Sequence, residues 1–157
     1  MKKYFKGDII ITDPCYIIKN YNPEWSFCEY GDKMEVLGIN TYLTSATLYG
    51  DWSCTTYKKE NSEVLGHFCA DAGLVSVFLL EEVLKYNPFF NYHITKPHTT
   101  TLIKDFDGEV EICIMSPTMF KGDEVKIFED DELEDDDNFV SVIGTGNINF
   151  ITRQTGL

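Results

Sequence analysis

The chain has 157 residues, 43% of them apolar, with eleven Phe, nine Tyr and a formal net charge of −13; this apolar content excludes global disorder and suits one domain, residues 1–157. Fourteen of the 26 carboxylates fall between Asp105 and Asp137, against Lys121 and Lys126 alone, and so regional a field excludes nucleic acid and anionic membranes as direct partners while attracting cationic surfaces. Five cysteines, odd in number and never spaced C-x-x-C, exclude a disulfide framework and a structural zinc site.

The N-terminal MKKYFKGDIIITDP contains only the apolar run Ile9 to Ile11, too short for a signal segment. No later run approaches the roughly 18 apolar residues of a membrane span. The expectation is a soluble, cytoplasmic protein with reduced thiols. Residues 7–12 read as a first strand that stops at Asp13-Pro14, because the residue before proline is pushed towards extended or turn geometry. Residues 41–49 and 53–57 are rich in Thr, Tyr and Leu and read as a hairpin about Gly50-Asp51. A better hairpin is expected of 64–70 and 74–80, where Gly73 can take the positive φ of a tight reversal.

The period then changes. Leu80, Val83 and Leu84 recur at helical spacing, acids come early and Asn87-Pro88 ends the run, which predicts one short helix over 80–87. Beyond it, TTTLIK and EVEICIM flank Asp105-Phe106-Asp107-Gly108, and Val110, Ile112 and Ile114 alternate with Glu109, Glu111 and Cys113, a third and clearest hairpin. Runs at 124–128, 139–143 and 147–152 bring the count to about ten strands. The predicted fold is mainly β, a single-domain antiparallel sandwich or partly open barrel with one short helix. Between Phe128 and Phe139, a loop over 129–138 has one hydrophobe, Leu133, and its like charges keep it solvated.

Three aspartates sit beside apolar strands in small-residue or proline turns: Asp13 in TDPCY, Asp51 in YGDW and Asp71 in ADAG. If the turns converged, their carboxylates could hold Mg²⁺ or Ca²⁺, with Tyr16, Trp25 and Trp52 as pocket walls. Aspartate in a turn more often accepts hydrogen bonds from nearby backbone amides, and no metal or other cofactor is assigned. His93-Ile94-Thr95 and His98-Thr99-Thr100 resemble the paired motifs of two-histidine phosphoesterases. Those motifs lie on separate strands, whereas here they are five residues apart with Pro97 between. His67, between Gly66 and Phe68, reads as a partly buried histidine with a backbone partner. Ser45, Ser53, Ser76 and Ser141 lack a G-x-S-x-G setting, Cys15 lacks a cationic neighbour, and G-T-G-N at 144–147 reads as a tight turn. No catalytic residue is assigned.

The order DPCY, then Trp25, then the GD turn and Tyr57, then G-H-F-C-A-D-A-G-L-V-S-V-F resembles a loose group of uncharacterised small proteins of bacteria and their phages. Members pair a DPCY-type motif with a GDG-type turn and a V-D-[AS]-G strand turn. The likeness covers residues 7–80 and departs where Trp52 replaces the second glycine and Ala70 the valine. It implies a shared β scaffold and a phage or mobile-element setting, and nothing catalytic.

The acidic segment carries the functional expectation, a non-enzymatic binding protein that docks on a basic partner. The partner class is a nucleic-acid-processing or host-defence enzyme, with the chain as electrostatic decoy, nucleic-acid mimic and inhibitor. Asp130, Asp131, Asp135, Asp136 and Asp137, with Glu129, Glu132 and Glu134, supply charge, and Phe128 and Leu133 an apolar anchor. The alternatives are a small-ligand, nucleotide-sponge or metal-dependent protein using Asp13, Asp51 and Asp71, a phosphoesterase using His93 and His98, and an oligomeric structural protein.

Overall fold

Strand β1, Lys2–Thr12, shows in its own sequence how the molecule is built. The computed structural model describes residues 2–18, 34, 36–46, 52–70, 74–90, 100–115, 118–121, 124–127 and 139–154. In the first half of β1, Phe5 is fully buried while Lys2, Tyr4 and Lys6 are exposed, the period-two pattern of a strand with one wet face. In the second half, Ile9, Ile10 and Ile11 are all fully buried. An unbroken apolar run belongs to a strand covered on both faces, so the sheet is clad on one side near Lys2 and on both near Thr12.

The other strands are β2 (Tyr42–Ala46), β3 (Trp52–Lys58), β4 (Val64–Ala70), β5 (Leu74–Leu79), β6 (Thr100–Met115), β7 (Thr118–Lys121), β8 (Glu124–Ile127), β9 (Phe139–Gly146) and β10 (Phe150–Gln154). Eight form one antiparallel sheet in the order β2-β5-β1-β6-β9-β10-β3-β4, and β7 and β8 form a separate ribbon. The ladder is open, with β2 and β4 as its edges. It curls so far that Gly66 of β4 lies against Thr101 of β6, where an added Cβ would stand 3.0 Å from the threonine Cγ2.

One core, inside the curl, gathers Phe5, Ile9, Ile11, Phe68, Val77, Ile103, Phe106, Val110, Ile112, Val142 and Phe150. Phe106 and Phe150 meet edge-on with ring centroids 5.5 Å apart, and the Phe150 ring covers Gly144 on the neighbouring strand. Full burial of each large side chain contributes about 1.5–3 kcal/mol. The other core lies on the opposite face, where Ile10, Leu74 and Phe78 pack with Ile17, Met34, Ile39 and the short helix α1, Leu80–Tyr86. Helix α1 buries Leu80 and Val83, carries Glu81 and Glu82 in its first turn and Lys85 in its last, and so complements its dipole. Glu82 Oε1 accepts from the backbone N–H groups of Asn40 (2.8 Å) and Thr41 (3.2 Å), which fixes the approach to β2. On this second face the apolar layer ends in hydroxyls, Thr44, Ser76, Thr12 and Thr100, which are register neighbours across β2, β5, β1 and β6. Ser76 Oγ donates to Thr44 Oγ1 at 2.8 Å and Thr100 Oγ1 to Thr12 Oγ1 at 3.2 Å, so the buried polar groups satisfy one another.

The antiparallel β class and the helix stand where the sequence puts them; the three expected hairpins do not. β2 pairs with β5, not β3, and β4 pairs with β3, not β5. The turn residues between those strands are real punctuation, but chain adjacency does not make the strands partners. In this stretch the hairpin joins β3 to β4, with Lys58 N donating to Glu63 O at 2.8 Å.

The third expected hairpin, at Asp105 to Gly108, is one continuous strand of 16 residues with a bulge. Gly7 pairs with Phe106 and Ile9 with Ile103, so Lys104 and Asp105 together face the single residue Asp8. Asp105 takes φ 51°, a value an aspartate tolerates in turns and bulges. Its N–H donates to Asp8 Oδ1 (2.9 Å) and its carbonyl accepts from Asn147 Nδ2 (2.7 Å), while Asn147 Oδ1 accepts the Asp107 N–H (2.8 Å). The extra residue shifts the inward set from Thr101 and Ile103 to Phe106, Val110 and Ile112. Just past the bulge, Gly108 and Gly146 face each other so closely that a Cβ on Gly146 would stand 2.2 Å from the Asp107 carbonyl oxygen. A bulge and a glycine crossing together bend β6, and the bend is what curls the sheet.

Candidate functional site

On the outer side of β6 the bulge separates two surfaces. Before it, Leu102 packs with the core under α1. After it, Asp105, Asp107 and Glu109 are exposed and Glu111 is half-buried, a file of four carboxylates at alternate positions from the bulge onward. The strand repeat sets successive side chains on one face about 6.7 Å apart. β1 runs alongside, with Lys2 opposite Glu111, Tyr4 opposite Glu109 and Lys6 opposite Asp107. Lys2 Nζ lies 3.8 Å from Glu111 Oε2, an exposed pair that contributes little. The Tyr4 hydroxyl donates to Asp107 Oδ1, and this hydrogen bond first, then desolvation and the carboxylate's charge, raises the phenol above its ordinary value. With Lys104 and Asp8 at the bulge counted too, three lysines stand against five carboxylates, and the face is net negative.

At the head of the file a cleft of about 450 Å³ opens between the β1 strand at the bulge and helix α1. Lys6, Gly7 and Asp8 line it from the strand, and Leu79, Leu80, Glu81 and Leu84 from the helix side. Gly7 has φ 128°, in the left-handed region that only glycine enters without strain.

The aspartate turns fare differently. Asp13 is fully buried. Its Oδ1 accepts the Cys15 N–H at 3.0 Å, which caps the 3₁₀ turn Pro14–Tyr16, and its Oδ2 accepts the Leu74 N–H at 3.4 Å, which anchors the start of β5. This carboxylate joins two chain segments, the turn role of aspartate extended across the sheet. Tyr16 is the last residue of that turn and half-buried. Trp25, Asp51, Asp71, His93 and His98 lie outside the described residues, as does the Trp52 side chain, although Trp52 and Ala70 are backbone register partners. Phe128, Glu129, Asp130, Asp131, Glu132, Leu133, Glu134, Asp135, Asp136 and Asp137 also lie outside them.

Compared with known protein families, curated proteins and solved structures, the chain matches none. Among the described residues no group of three His, Cys, Asp or Glu side chains is placed to hold a metal ion, and no helix is long and apolar enough to cross a membrane. Cys15 and Cys69 are half-buried cysteines, Cys69 Sγ lying 3.7 Å from Ser53 Oγ, and Cys54 is a buried one whose ionisation is pushed well up by desolvation, with a smaller contribution from Cys69. His67, expected to have a backbone partner, has its Nδ1 3.0 Å from the Thr55 side-chain Oγ1 across the β3–β4 ladder.

Sequence reasoning missed the carboxylate file because it broke β6 in two, and it missed the cleft altogether. The signal for both was present. KKYFKG alternates and DIIIT does not, and the change of pattern falls at Gly7-Asp8, where the wet face gives way to the covered one.

Proposed function

We propose that this chain is a non-enzymatic acidic binding protein, of phage or mobile-element setting, that docks through its acidic face on a basic, nucleic-acid-processing or host-defence protein and acts there as an electrostatic decoy. The observation that carries the reading is the carboxylate file of β6, Asp105, Asp107 and Glu109 exposed and Glu111 half-buried, set along one face at the strand repeat. Its step is of the same order as the separation of neighbouring phosphates along a nucleic-acid strand. The file opens the segment in which residues 105–137 carry fourteen carboxylates against two lysines. We read the curled sheet as a sandwich-like scaffold that holds β6 rigid, which suits a surface whose charges must keep their spacing.

Electrostatic attraction of this kind accelerates encounter more than it lengthens residence, and it weakens with salt. The test is affinity capture from host lysate followed by stopped-flow association. Wild type is compared with a variant carrying Asn or Gln for every acid of residues 129–137 and with Glu109→Gln/Glu111→Gln. A basic nucleic-acid enzyme captured by wild type, released by salt and bound roughly tenfold or more slowly by the neutralised variants is the expected result. An association rate at low salt that does not change on neutralisation would sink the proposal.

A further inference from the structure

The cleft beside the β6 bulge has a lining that specifies more than negative charge. Its apolar part is Leu79, Leu80 and Leu84, with Leu80 only 4% exposed. Its charged part is two carboxylates, Asp8 and Glu81, against one ammonium, Lys6. Gly7 suits its edge, since the φ of 128° opposes any side chain, while an added Cβ would make only ordinary contact with Leu79 Cδ2 at 3.8 Å. Asp8 also accepts the N–H of Asp105, the first carboxylate of the file, so cleft and file are continuous.

Resting on the acidic-face reading above, we propose that the cleft seats one arginine side chain from an extended segment of the basic partner. The three leucines take the methylene stem, as apolar surface does beneath long cationic side chains. The guanidinium has five donors in a fixed plane and can serve two carboxylates at once, which an ammonium does less well. Asp8 has spare capacity, because a carboxylate offers about four acceptor positions and Asp105 takes one. Glu81 is paired with Lys85 at 3.5 Å, but that pair is exposed on both sides and readily shared. The local field opposes an anionic occupant, since beside Asp8 and Glu81 stand Asp105, bonded to Asp8, and Asp107, the register partner of Lys6. A segment leaving the cleft in strand conformation would advance about 6.7 Å per two residues, in step with the file.

The experiment titrates the ¹⁵N-labelled full chain with the peptide Ac-Gly-Arg-Gly-NH₂ and, in parallel, with its neutral citrulline counterpart. Saturable shifts of the Gly7, Leu80 and Leu84 amides with the arginine peptide alone are expected. Glu81→Gln should weaken binding about two- to fivefold, Lys6→Gln should tighten it by a similar factor, and Glu60→Gln, exposed in the β3–β4 turn away from both cleft and file, should leave it unchanged. Equal shifts with the citrulline peptide, equal weakening by Glu81→Gln and Glu60→Gln, or weakening by Lys6→Gln would each overturn the assignment. If the acids prove necessary for partner capture while the peptide leaves Gly7 and Leu84 unmoved, the cleft assignment falls and the acidic-face reading stands. Peptide seated in the cleft without capture of any basic protein supports the assignment and overturns the wider reading.

Discussion

Replacing Gly146 by alanine tests the account of the β6 bend directly. Gly146 does not have a positive φ, so an alanine there carries little conformational penalty, and the whole effect comes from space. Its Cβ would stand 2.2 Å from the Asp107 carbonyl oxygen, 2.7 Å from Gly108 Cα and 2.9 Å from the Asp107 carbonyl carbon. These are backbone atoms that no rotamer change can move, so β6 and β9 must part by about 1 Å. Overpacking of this kind costs about 1–3 kcal/mol, and a weakened ladder hydrogen bond adds about 1 kcal/mol. The expected loss is about 2–4 kcal/mol. With a urea slope near 2 kcal/mol/M, that lowers the unfolding midpoint by about 1–2 M. Gly38→Ala is the control with opposite character: its φ is 84° and nothing lies within 4 Å of the added atom. Only backbone strain, about 1–2 kcal/mol, should appear there. If Gly146→Ala costs less than about 1 kcal/mol, or less than Gly38→Ala, the close glycine crossing is not what shapes the sheet.

Three further outcomes follow from named contacts. β9 and β10 pair only through Phe150 and Ile151 among the described residues, and beyond them Val142 N–H donates to Thr152 Oγ1 at 2.8 Å. Thr152→Val should therefore cost about 1–3 kcal/mol in equilibrium unfolding by orphaning a buried donor, while Thr152→Ser recovers much of the loss; equal losses would contradict this role. Because burial raises the Cys54 thiol, peptide mapping after brief alkylation at neutral pH should find Cys69 labelled well before Cys54, and equal rates would count against the packing described. Tyr4 has its folded pKa raised by donating to Asp107, so its contribution is complete below the ordinary tyrosine value near 10 and is lost as pH rises through the folded value. Tyr4→Phe should make the alkaline fall in melting temperature shallower, and parallel curves for the two proteins would remove the hydrogen bond from the argument.

The parts of this fold that were legible in the sequence are those governed by local period. Leu80 and Val83 at helical spacing gave α1, and the Val110/Ile112 alternation gave the inward face of the second half of β6. Partnership was not legible, because β1 finds its neighbours in residues 74–79 and 100–111, far along the chain. The Asp105 bulge illustrates a further limit. An aspartate-glycine cluster between apolar runs serves equally to reverse a strand or to bulge it, and the choice here is made by Asp8 and Asn147, residues distant in sequence. Of the candidate site, acidity was legible from composition, whereas the alignment of Asp105, Asp107, Glu109 and Glu111 on one face depends on that same bulge. Asp13 was read as a turn residue and is one, but its second anchor at Leu74 comes from pairing that no local pattern announces.

The pairing of β1 also sets a timetable for the growing chain. Its apolar half, Ile9 to Ile11, has its first partner in β5, but Lys2 to Gly7 can dock only on residues 106–111. At about 5–20 residues per second, the ribosome takes on the order of 5–20 s between making β1 and completing the segment that closes it. During that interval the three adjacent isoleucines are a sticky edge with no finished sheet to join. Nascent chains stalled before residue 100 should therefore recruit chaperones strongly, and chains released after residue 154, with β9 and β10 in place to complete the core, should not.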